Sequence, residues 1–265
     1  MLIIGERINS TRAQIQEAMK KKDAAFILKE AKKQLAAGAD YIDINCAMSL
    51  GDEVQDIDWV ISVIQAEVKE VGICIDSPNH LAIERALKVY KAGGGIFINS
   101  ITGDEKRIEH IAPFAVKYNT RLIALTMGTE GMPHSAEDRL SIARDILTKV
   151  VAKGFRPENL YFDPLIRPIS TEPEQVKEFL RSLPMIKSLG AKTICGLSNV
   201  SFGLPNRRLI NSAFLSMAIQ SGLDAAILDP TEKYVMSSIA ASRALLCEDE
   251  YCGEYIKAFR EGQLI

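Results

Sequence analysis

Eight short apolar runs alternate with longer amphipathic segments along the chain. The runs have four to eight residues, begin 23 to 39 residues apart, and are rich in Ile, Leu or aromatic residues. Several of them lack polar–apolar alternation, which is typical of parallel strands buried on both faces. We therefore predict strands that begin at Leu2, Tyr41, Gly72, Gly95, Arg121, Leu160, Lys192 and Ala225.

The segments between the runs carry signals for helices. The segment DAAFILKEAKKQLAAGAD reaches Gly38, and glycine commonly ends a helix. Ser135 and Asp138 have the spacing of a capping box, with Asp in place of Glu. Pro184 lies inside another helical segment and predicts a kink or break there. The tail YCGEYIKAFREG predicts a further short helix.

Strict alternation of strands and helices predicts a parallel α/β fold. A doubly wound sheet is one solution, but it would usually carry a glycine-rich phosphate loop after its first strand. Here the first strand runs into the sequence NSTRAQ, which contains no such loop. Eight units in 265 residues favour a single-domain (β/α)8 TIM barrel over residues 1–265.

Composition and charge are those of an ordinary globular chain. Hydrophobic residues make up 47% and charged residues 25%, and the net charge is −2. This balance provides no global field for nucleic acid or an anionic membrane. No apolar run approaches the length of a spanning helix, and Glu6 and Arg7 interrupt the first run where a signal peptide would be apolar. We predict a cytoplasmic protein without nucleic-acid or membrane partners.

The cysteines and histidines do not form a recognisable metal or disulfide pattern. There are five cysteines, no CxxC pair, and three histidines that are distant from each other in sequence. We therefore expect no disulfide framework and no metal site. Cys74 and Cys195 lie in apolar runs, which predicts buried thiols. His80 and His134 follow strands, and we interpret them as surface residues rather than catalytic ones.

Carboxylates and carboxamides mark the ends of almost all the predicted strands. In a barrel enzyme the active site is built at these ends. Asp and Asn also cap helices and form turns, which explains Asp229 about as well as a function does. The same pattern on so many strands instead indicates a small-molecule pocket rich in hydrogen-bond acceptors. The strand-end residues are Glu6, Asn9, Asp43, Asn45, Asp76, Asn99, Thr126, Asp163, Asn199 and Asp229.

The expected pocket has few cations. No lysine ends a strand, so Schiff-base chemistry is not indicated. Arg207 and Arg208 follow the seventh strand and are the nearest positive residues. A carboxylate that accepts two parallel N–H bonds holds a flat edge in place. The pocket therefore suits a neutral heterocycle with several N–H donors.

Several segments together resemble one enzyme family. ICIDSPN, GIFINS, LYFDPL and GLSNVSFGLPNRRLIN, with GERIN, LTM, GMP and GLDAAI, are similar to the methyltetrahydrofolate:corrinoid protein methyltransferases. These enzymes are part of the dihydropteroate-synthase-like pterin-binding superfamily. The resemblance extends from Met1 to about Phe259. It implies a (β/α)8 barrel with tetrahydrofolate or methyltetrahydrofolate as substrate in its mouth.

The resemblance also implies roles for individual residues. Asp76, Asn99 and Asp163 match the family positions that hold the amino-pyrimidine edge of the pterin. Asn199 matches the asparagine that hydrogen-bonds near N5 and is the candidate catalytic residue. Gly196 and Ser198 would line the same wall of the pocket. Further candidates with less defined roles are Glu6, Asn9, Asp43, Asn45, Thr126 and Arg207.

The same segments separate this chain from related activities. The loop NSTRAQ and the sequence SNVSF after the seventh strand differ from the synthase pattern, so we do not expect dihydropteroate synthase activity. The chain lacks a corrinoid-binding DxHxxG motif and a cysteine-rich zinc module. The cobalamin or other corrinoid is therefore expected on a separate corrinoid protein, or free.

Some alternatives remain open at this point. The chain could be a folate-binding barrel without turnover, or a barrel of unrelated specificity. The sequence does not fix the direction of methyl transfer. The resemblance further implies a homodimer, and the late helices with Met217 and Met236 offer apolar faces for it.

Overall fold

The fold is a closed barrel of eight parallel strands, and each strand pairs with its neighbours in sequence. The computed structural model describes residues 1–129 and 131–265. The predicted (β/α)8 barrel is thus confirmed, and every predicted strand begins within one residue of its expected start. The strands are β1 Leu2–Asn9, β2 Tyr41–Asn45, β3 Gly72–Asp76, β4 Ile96–Ile101, β5 Arg121–Leu125, β6 Leu160–Asp163, β7 Lys192–Gly196 and β8 Ala225–Leu228.

Helices follow every strand. Their bounds are α1 Ala13–Lys21, α2 Ala24–Ala36, α3 Glu53–Glu67, α4 His80–Val89, α5 Glu105–Lys117, α6 Ala136–Ala152, α7 Gln175–Lys187, α8 Arg207–Gln220, α9 Lys233–Leu245 and α10 Gly253–Arg260. The tail helix is therefore present. None of the described helices has the length and apolar character needed to cross a membrane.

Local helix signals were correct at two of the three marked positions. Ser135 Oγ accepts from the Asp138 N–H at 3.0 Å, and the Asp138 carboxylate accepts from the Ser135 N–H at 2.9 Å. Gly38 follows α2 with a φ of +98°, a left-handed conformation that glycine adopts readily. At Pro184 we predicted a kink or break, and the break does not occur, because α7 continues through Pro184 to Lys187. Burial of Phe179, Leu183 and Ile186 on one face of α7 offsets the lost hydrogen bond.

Two apolar layers hold the barrel together. The larger one lies between the strands and the surrounding helices. The smaller one fills the barrel interior, where Tyr41, Phe97 and Tyr161 pack edge to face with ring centroids 4.9 Å apart. Residues on a strand face the same side at every second position. The interior of β2 therefore changes along the strand from Tyr41 to Asp43 and Asn45 at its carboxyl end.

A buried arginine joins the loop after β6 to two helices. Arg139 on α6 is 0% exposed, and its Nε donates to the Pro164 carbonyl at 2.7 Å. Its Nη2 donates to Gln175 Oε1 on α7 at 2.8 Å, and its Nη1 donates to the Ser135 carbonyl at 3.1 Å. These bonds satisfy the buried guanidinium with neutral acceptors and fix the segment after β6.

We predict that Arg139→Met lowers the free energy of unfolding by about 3 kcal/mol, because buried acceptors lose their donor. Urea unfolding followed by circular dichroism measures the change. Arg144→Met on the exposed side of the same helix is the matched control and should change stability by less than about 0.5 kcal/mol. Equal effects of the two substitutions would contradict a structural role for Arg139.

Candidate functional site at the carboxyl end of the barrel

Four polar residues form a row across neighbouring strands. Asn9 pairs with Asn45, Asn45 with Asp76, and Asp76 with Asn99 in the strand register. Residues paired in a parallel sheet lie at the same level. The structure therefore brings these four predicted strand ends together at the carboxyl edge of β1 to β4.

Asp76 is held by its neighbour in this row. Asn45 Nδ2 donates to Asp76 Oδ2 at 2.7 Å, while Asn45 Oδ1 accepts from the Ala47 N–H at 3.1 Å. Burial raises the pKa of Asp76, and the bond from Asn45 opposes that rise. Asp76 remains partly exposed, and its second carboxylate oxygen makes no hydrogen bond to the described residues. That oxygen is available to accept from a ligand.

Asp43 lies two positions below Asn45 on the same face of β2 and is 2% exposed. Its Oδ1 has no hydrogen-bond partner among the described residues. Burial, followed by repulsion from Asp76, raises the pKa of Asp43 well above its usual range. Burial therefore disfavours the charged form of Asp43, whose orphaned polar atom a ligand or water can satisfy.

Asp163 ends β6 and is 8% exposed. Burial raises the pKa of its carboxyl to about 6, although the backbone N–H groups of Leu165 and Gly196 stabilise the charged form. The Leu165 N–H reaches Asp163 Oδ1 at 2.8 Å. The Thr126 hydroxyl donates to the Asp163 carbonyl at 3.3 Å, so this fully buried threonine links the ends of β5 and β6.

The turn after β7 carries the polar wall opposite the row. Leu197–Asn199 form a short 3-10 turn, and Ser198 Oγ donates to Glu6 Oε1 at 2.7 Å. Burial raises the pKa of Glu6, and the Ser198 bond counters it in part. Asn199 is exposed, and its amide nitrogen lies 3.3 Å from where a Cβ on Gly196 would stand. Glycine at position 196 thus leaves room for the Asn199 side chain.

Arg207 is the first residue of α8 and forms hydrogen bonds with the same turn. Its Nε donates to Ser201 Oγ at 3.0 Å, and its Nη2 donates to the Ser198 carbonyl. The positive charge of Arg207 also lowers the pKa of Glu6 and so favours its ionised form. Arg207 therefore connects the start of α8 to the wall that holds Ser198 and Asn199.

Two of the strand-end residues have local structural partners. Asn9 Oδ1 accepts from the Thr11 N–H at 3.0 Å and from the Thr11 hydroxyl at 2.7 Å, which is a turn motif. Asp229 pairs with Arg7 at 2.7 Å and accepts from the Thr231 N–H at 3.0 Å. These contacts account for Asp229 as a turn residue and ion-pair partner.

Two side chains outside the predicted strand ends also support the site, and sequence reasoning missed both. Arg107 on α5 donates to the Ser77 carbonyl at 2.8 Å and to the Ser100 carbonyl at 2.9 Å, which ties the loop after β3 to the end of β4. Ser10 Oγ donates to Asn45 Oδ1 at 3.4 Å. No local signal marks Arg107, because its partners are 30 and 7 residues away in sequence.

The predicted state of the cysteines and histidines agrees with the structure. Cys74 and Cys195 are buried free thiols, while Cys247 and Cys252 are exposed. His80 and His134 are exposed, and His80 stacks on His110 with ring centroids 5.1 Å apart. Neither His80 nor His134 is bonded to any of the strand-end side chains in the described part of the chain.

The chemistry of the mouth follows from its carboxyl groups. Glu6, Asp43, Asp76 and Asp163 all have raised pKa values caused chiefly by burial. Within residues 1–129 and 131–265, none of the four forms an ion pair. Such groups are stabilised by N–H donors, and a ligand that brings several of them fits this mouth.

Known proteins are similar to this chain over most of its length. The profile of the pterin binding enzyme family matches residues 5–229. The chain is similar to the methylcorrinoid:tetrahydrofolate methyltransferase of Eubacterium limosum, with 31% identity over 100% of this chain and 98% of the relative. It is also 29% identical to methionine synthase of Mycobacterium tuberculosis, over 90% of this chain and 21% of that longer protein.

Solved structures with the same fold include dihydropteroate synthases. The enzyme from Clostridium difficile has a TM-score of 0.71 and 20% identity, covering 92% of this chain and 96% of its own. The enzyme from Xanthomonas albilineans also has a TM-score of 0.71, with 15% identity and 92% coverage of both chains. At these identities the likeness shows the barrel alone. The family profile and the full-length similarity show more: this chain belongs to the family of pterin-binding enzymes.

Proposed function

We propose that this protein is a methyltransferase that moves a methyl group between N5 of tetrahydrofolate and the cobalt of a corrinoid. The observation that carries the proposal is a barrel mouth lined by buried carboxyl groups that form no ion pair within residues 1–129 and 131–265. The full-length similarity to a methylcorrinoid:tetrahydrofolate methyltransferase supports the same reaction. The corrinoid is a second substrate, carried by a separate corrinoid protein or free.

The pterin is held by acceptors that match its donors. The free oxygen of Asp76, the amide of Asn99 and the carboxylate of Asp163 face the N–H groups of the amino-pyrimidine edge. Charge-assisted hydrogen bonds of this kind are about twice as strong as neutral ones. These bonds also replace the hydrogen bonds to water that the carboxylates lose on burial. Ligand binding therefore recovers part of the free energy that burial costs the unliganded protein.

Asn199 is the catalytic residue of this proposal. When the methyl group leaves methyltetrahydrofolate, N5 must gain a proton or a hydrogen bond, since an amine nitrogen is otherwise a poor leaving group. The Asn199 amide can donate to N5 or accept from N5–H, and the exposed turn gives it freedom to do either. The corrinoid supplies the cobalt chemistry, and the protein orients the pterin and stabilises charge at N5.

A folate-binding barrel without turnover is the second candidate function. In this alternative the same residues bind the pterin, but no methyl group is transferred and Asn199 therefore affects no rate. The same site serves both directions of transfer, because forward and reverse reactions pass through one transition state. Separate measurements of binding and of transfer therefore distinguish the two candidates.

We predict that Asp163→Asn makes the protein more stable and its folate binding weaker. The folded-state pKa of about 6 lies above the unfolded value, so the ionised carboxyl destabilises the fold once the pH rises through that range. Removing it should raise stability by about 2 kcal/mol above pH 7, and the gain should shrink as the pH falls through 6 and vanish near pH 3, where both states are protonated. Thermal unfolding across this pH range measures the difference.

The same substitution should weaken folate binding. Asp163→Asn should raise the tetrahydrofolate Kd at pH 7.5 by an amount equivalent to about 1.5–3 kcal/mol, as measured by calorimetry. Asp76→Asn should show a similar loss of affinity. If both variants bind folate as tightly as the unchanged protein does, the proposed pterin anchors are wrong.

We predict that Asn199→Ala slows methyl transfer by about 10²–10³-fold and changes folate affinity far less, because the interaction at N5 develops in the transition state. Single-turnover transfer followed by the cobalamin spectrum, in both directions, gives the rate. Asn159→Ala, at the opposite end of the barrel, is the control and should leave the rate unchanged. Tight folate binding without any transfer by the unchanged protein would favour the non-catalytic barrel.

We also propose a homodimer formed by the outer face of α8 to α10. α9 contacts both neighbouring helices, and this face exposes Leu209, Met217, Leu245 and Phe259. Met236 is not available for it, because Met236 is half-buried and packs against the barrel near Gly38.

Light scattering should give twice the 29.2-kDa mass of one chain. Met217→Lys should produce a monomer, since Met217 is 51% exposed in the single chain and would be buried in the dimer. Leu81→Lys, at an equally exposed apolar position on α4, should leave the dimer intact. A monomeric mass for the unchanged protein would overturn this proposal.

A further inference from the structure

Two cations enter the barrel at the end opposite the mouth, which we refer to as the barrel floor. Arg121 is the first residue of β5, and Lys192 is the first residue of β7. In the strand register Arg121 pairs with Phe97, and Lys192 pairs with Tyr161. Phe97 and Tyr161 belong to the barrel interior, so their register partners also face inward. Both cations are half-buried there.

Three aromatic rings support these cations. Phe97 packs between Tyr41 and Tyr161, and the ring centroids are 4.9 Å apart in each pair. The guanidinium carbon of Arg121 lies 5.4 Å from the centroid of Tyr41 and 5.5 Å from that of Phe97. Lys192 Nζ lies 5.3 Å from the centroid of Tyr161. Since the three rings contact one another, the two positive charges lie over one continuous aromatic surface.

The positive charge of the floor is not neutralised by the protein. Neither Arg121 nor Lys192 forms an ion pair in the part of the chain that the structure describes. Asp40, which precedes β2, accepts from a backbone N–H group of β1 at 2.8 Å. Asp224, which precedes β8, pairs with Lys187 on α7 at 2.8 Å. These two acids are therefore engaged elsewhere, and the floor keeps two cations that can bind an anion.

Two buried hydroxyl groups add donors to the same place. Tyr41 is 5% exposed and Tyr161 is 1% exposed. The Tyr41 hydroxyl accepts from Arg121 Nη1, and the Tyr161 hydroxyl accepts from Lys192 Nζ at 3.4 Å. Neither hydroxyl donates to an acceptor within residues 1–129 and 131–265. Burial raises the pKa of Tyr41, so its oxygen keeps the proton. Each phenol is thus a buried O–H donor that lacks an acceptor.

The chemistry of the floor suits a phosphate group. A guanidinium group binds two phosphate oxygens at once, and an ammonium group binds as a point charge. A phosphate group carries about two negative charges near pH 7, which matches the two cations. Its oxygens also point in several directions, as donors from different strands require. A carboxylate has only two oxygens, and both lie in one plane.

We propose that the barrel floor binds a phosphate group, which accepts from Arg121 and Lys192 and from the hydroxyls of Tyr41 and Tyr161. The group is supplied by inorganic phosphate or by a phosphomonoester, since both present the same oxygens. This site is separate from the mouth and takes no part in methyl transfer. Its ligand joins β2, β5, β6 and β7 and stabilises the folded barrel, because the unfolded chain does not assemble these donors.

Calorimetry on the full chain, in a chloride buffer of fixed ionic strength, tests the site with inorganic phosphate and with glycerol 3-phosphate. Arg121→Met and Lys192→Met should each raise the Kd of phosphate about tenfold, because a charge-assisted bond is lost. Tyr161→Phe keeps the ring and its packing and should raise the Kd roughly fivefold, as expected for one hydrogen bond. Lys69→Met, at an exposed position in the turn before β3 at the same end of the barrel, is the control and should not change the Kd.

Thermal unfolding gives a second readout and shows that each variant is folded. Phosphate at about ten times its Kd should raise the Tm of the unchanged protein by about 3 °C. The same concentration should raise the Tm of Lys192→Met by much less. A general salt effect would instead raise the Tm of both proteins equally.

The comparison of the two ligands identifies the source of the phosphate group. Tighter binding of inorganic phosphate identifies the free anion, and tighter binding of glycerol 3-phosphate identifies a phosphomonoester; either result supports the site. The proposal is wrong if neither ligand binds, or if Arg121→Met and Lys192→Met bind phosphate as the unchanged protein does. It is also wrong if Arg208→Met abolishes binding, since the anion would then lie at α8 near the mouth.

Discussion

The structure depends on one constraint, which is the burial of several carboxyl groups together, none of which forms an ion pair among the described residues. Burial raises the pKa values of Glu6, Asp43, Asp76 and Asp163 above their ordinary range, because these groups are removed from water. An uncompensated buried charge costs several kcal/mol, so such a cluster persists only where the rest of the fold supplies the stability. The apolar interior of the barrel supplies this stability, because it is filled by Tyr41, Phe97, Tyr161 and aliphatic side chains.

Neutral donors stabilise the buried carboxyl groups, and two arginines bind the neighbouring loops. Asn45 donates to Asp76, Ser198 donates to Glu6, and backbone N–H groups stabilise Asp163. Arg107 and Arg139 donate to loop carbonyls rather than to the carboxylates. The loops are therefore fixed by cations while the acceptors at the mouth stay free, an arrangement that suits a ligand with N–H donors.

The sequence predicted the barrel and the level of the polar row because both depend on short-range patterns. Strands buried on both faces give continuous apolar runs, and a change to Asp or Asn marks the point where each strand reaches the mouth. The separate helix α1 was not identified, and the break expected at Pro184 did not occur, because packing of α7 on the barrel outweighs the local preference. The contacts of Arg107 and Arg139 join segments distant in sequence, which no local pattern reveals.

The strand ends and the segment after β7 contribute different side chains to the mouth. The acceptors on β3, β4 and β6 are set by strand register, so the sheet itself holds them at the mouth. Asn199 instead lies on the segment between β7 and α8, and Arg207 begins α8, so the sheet constrains neither of them. In the proposed function Asn199 acts at N5, and a change in this segment would alter the reaction without altering the sheet. Fold similarity to dihydropteroate synthases therefore carries no information about the reaction, which has to be argued from individual side chains of the mouth.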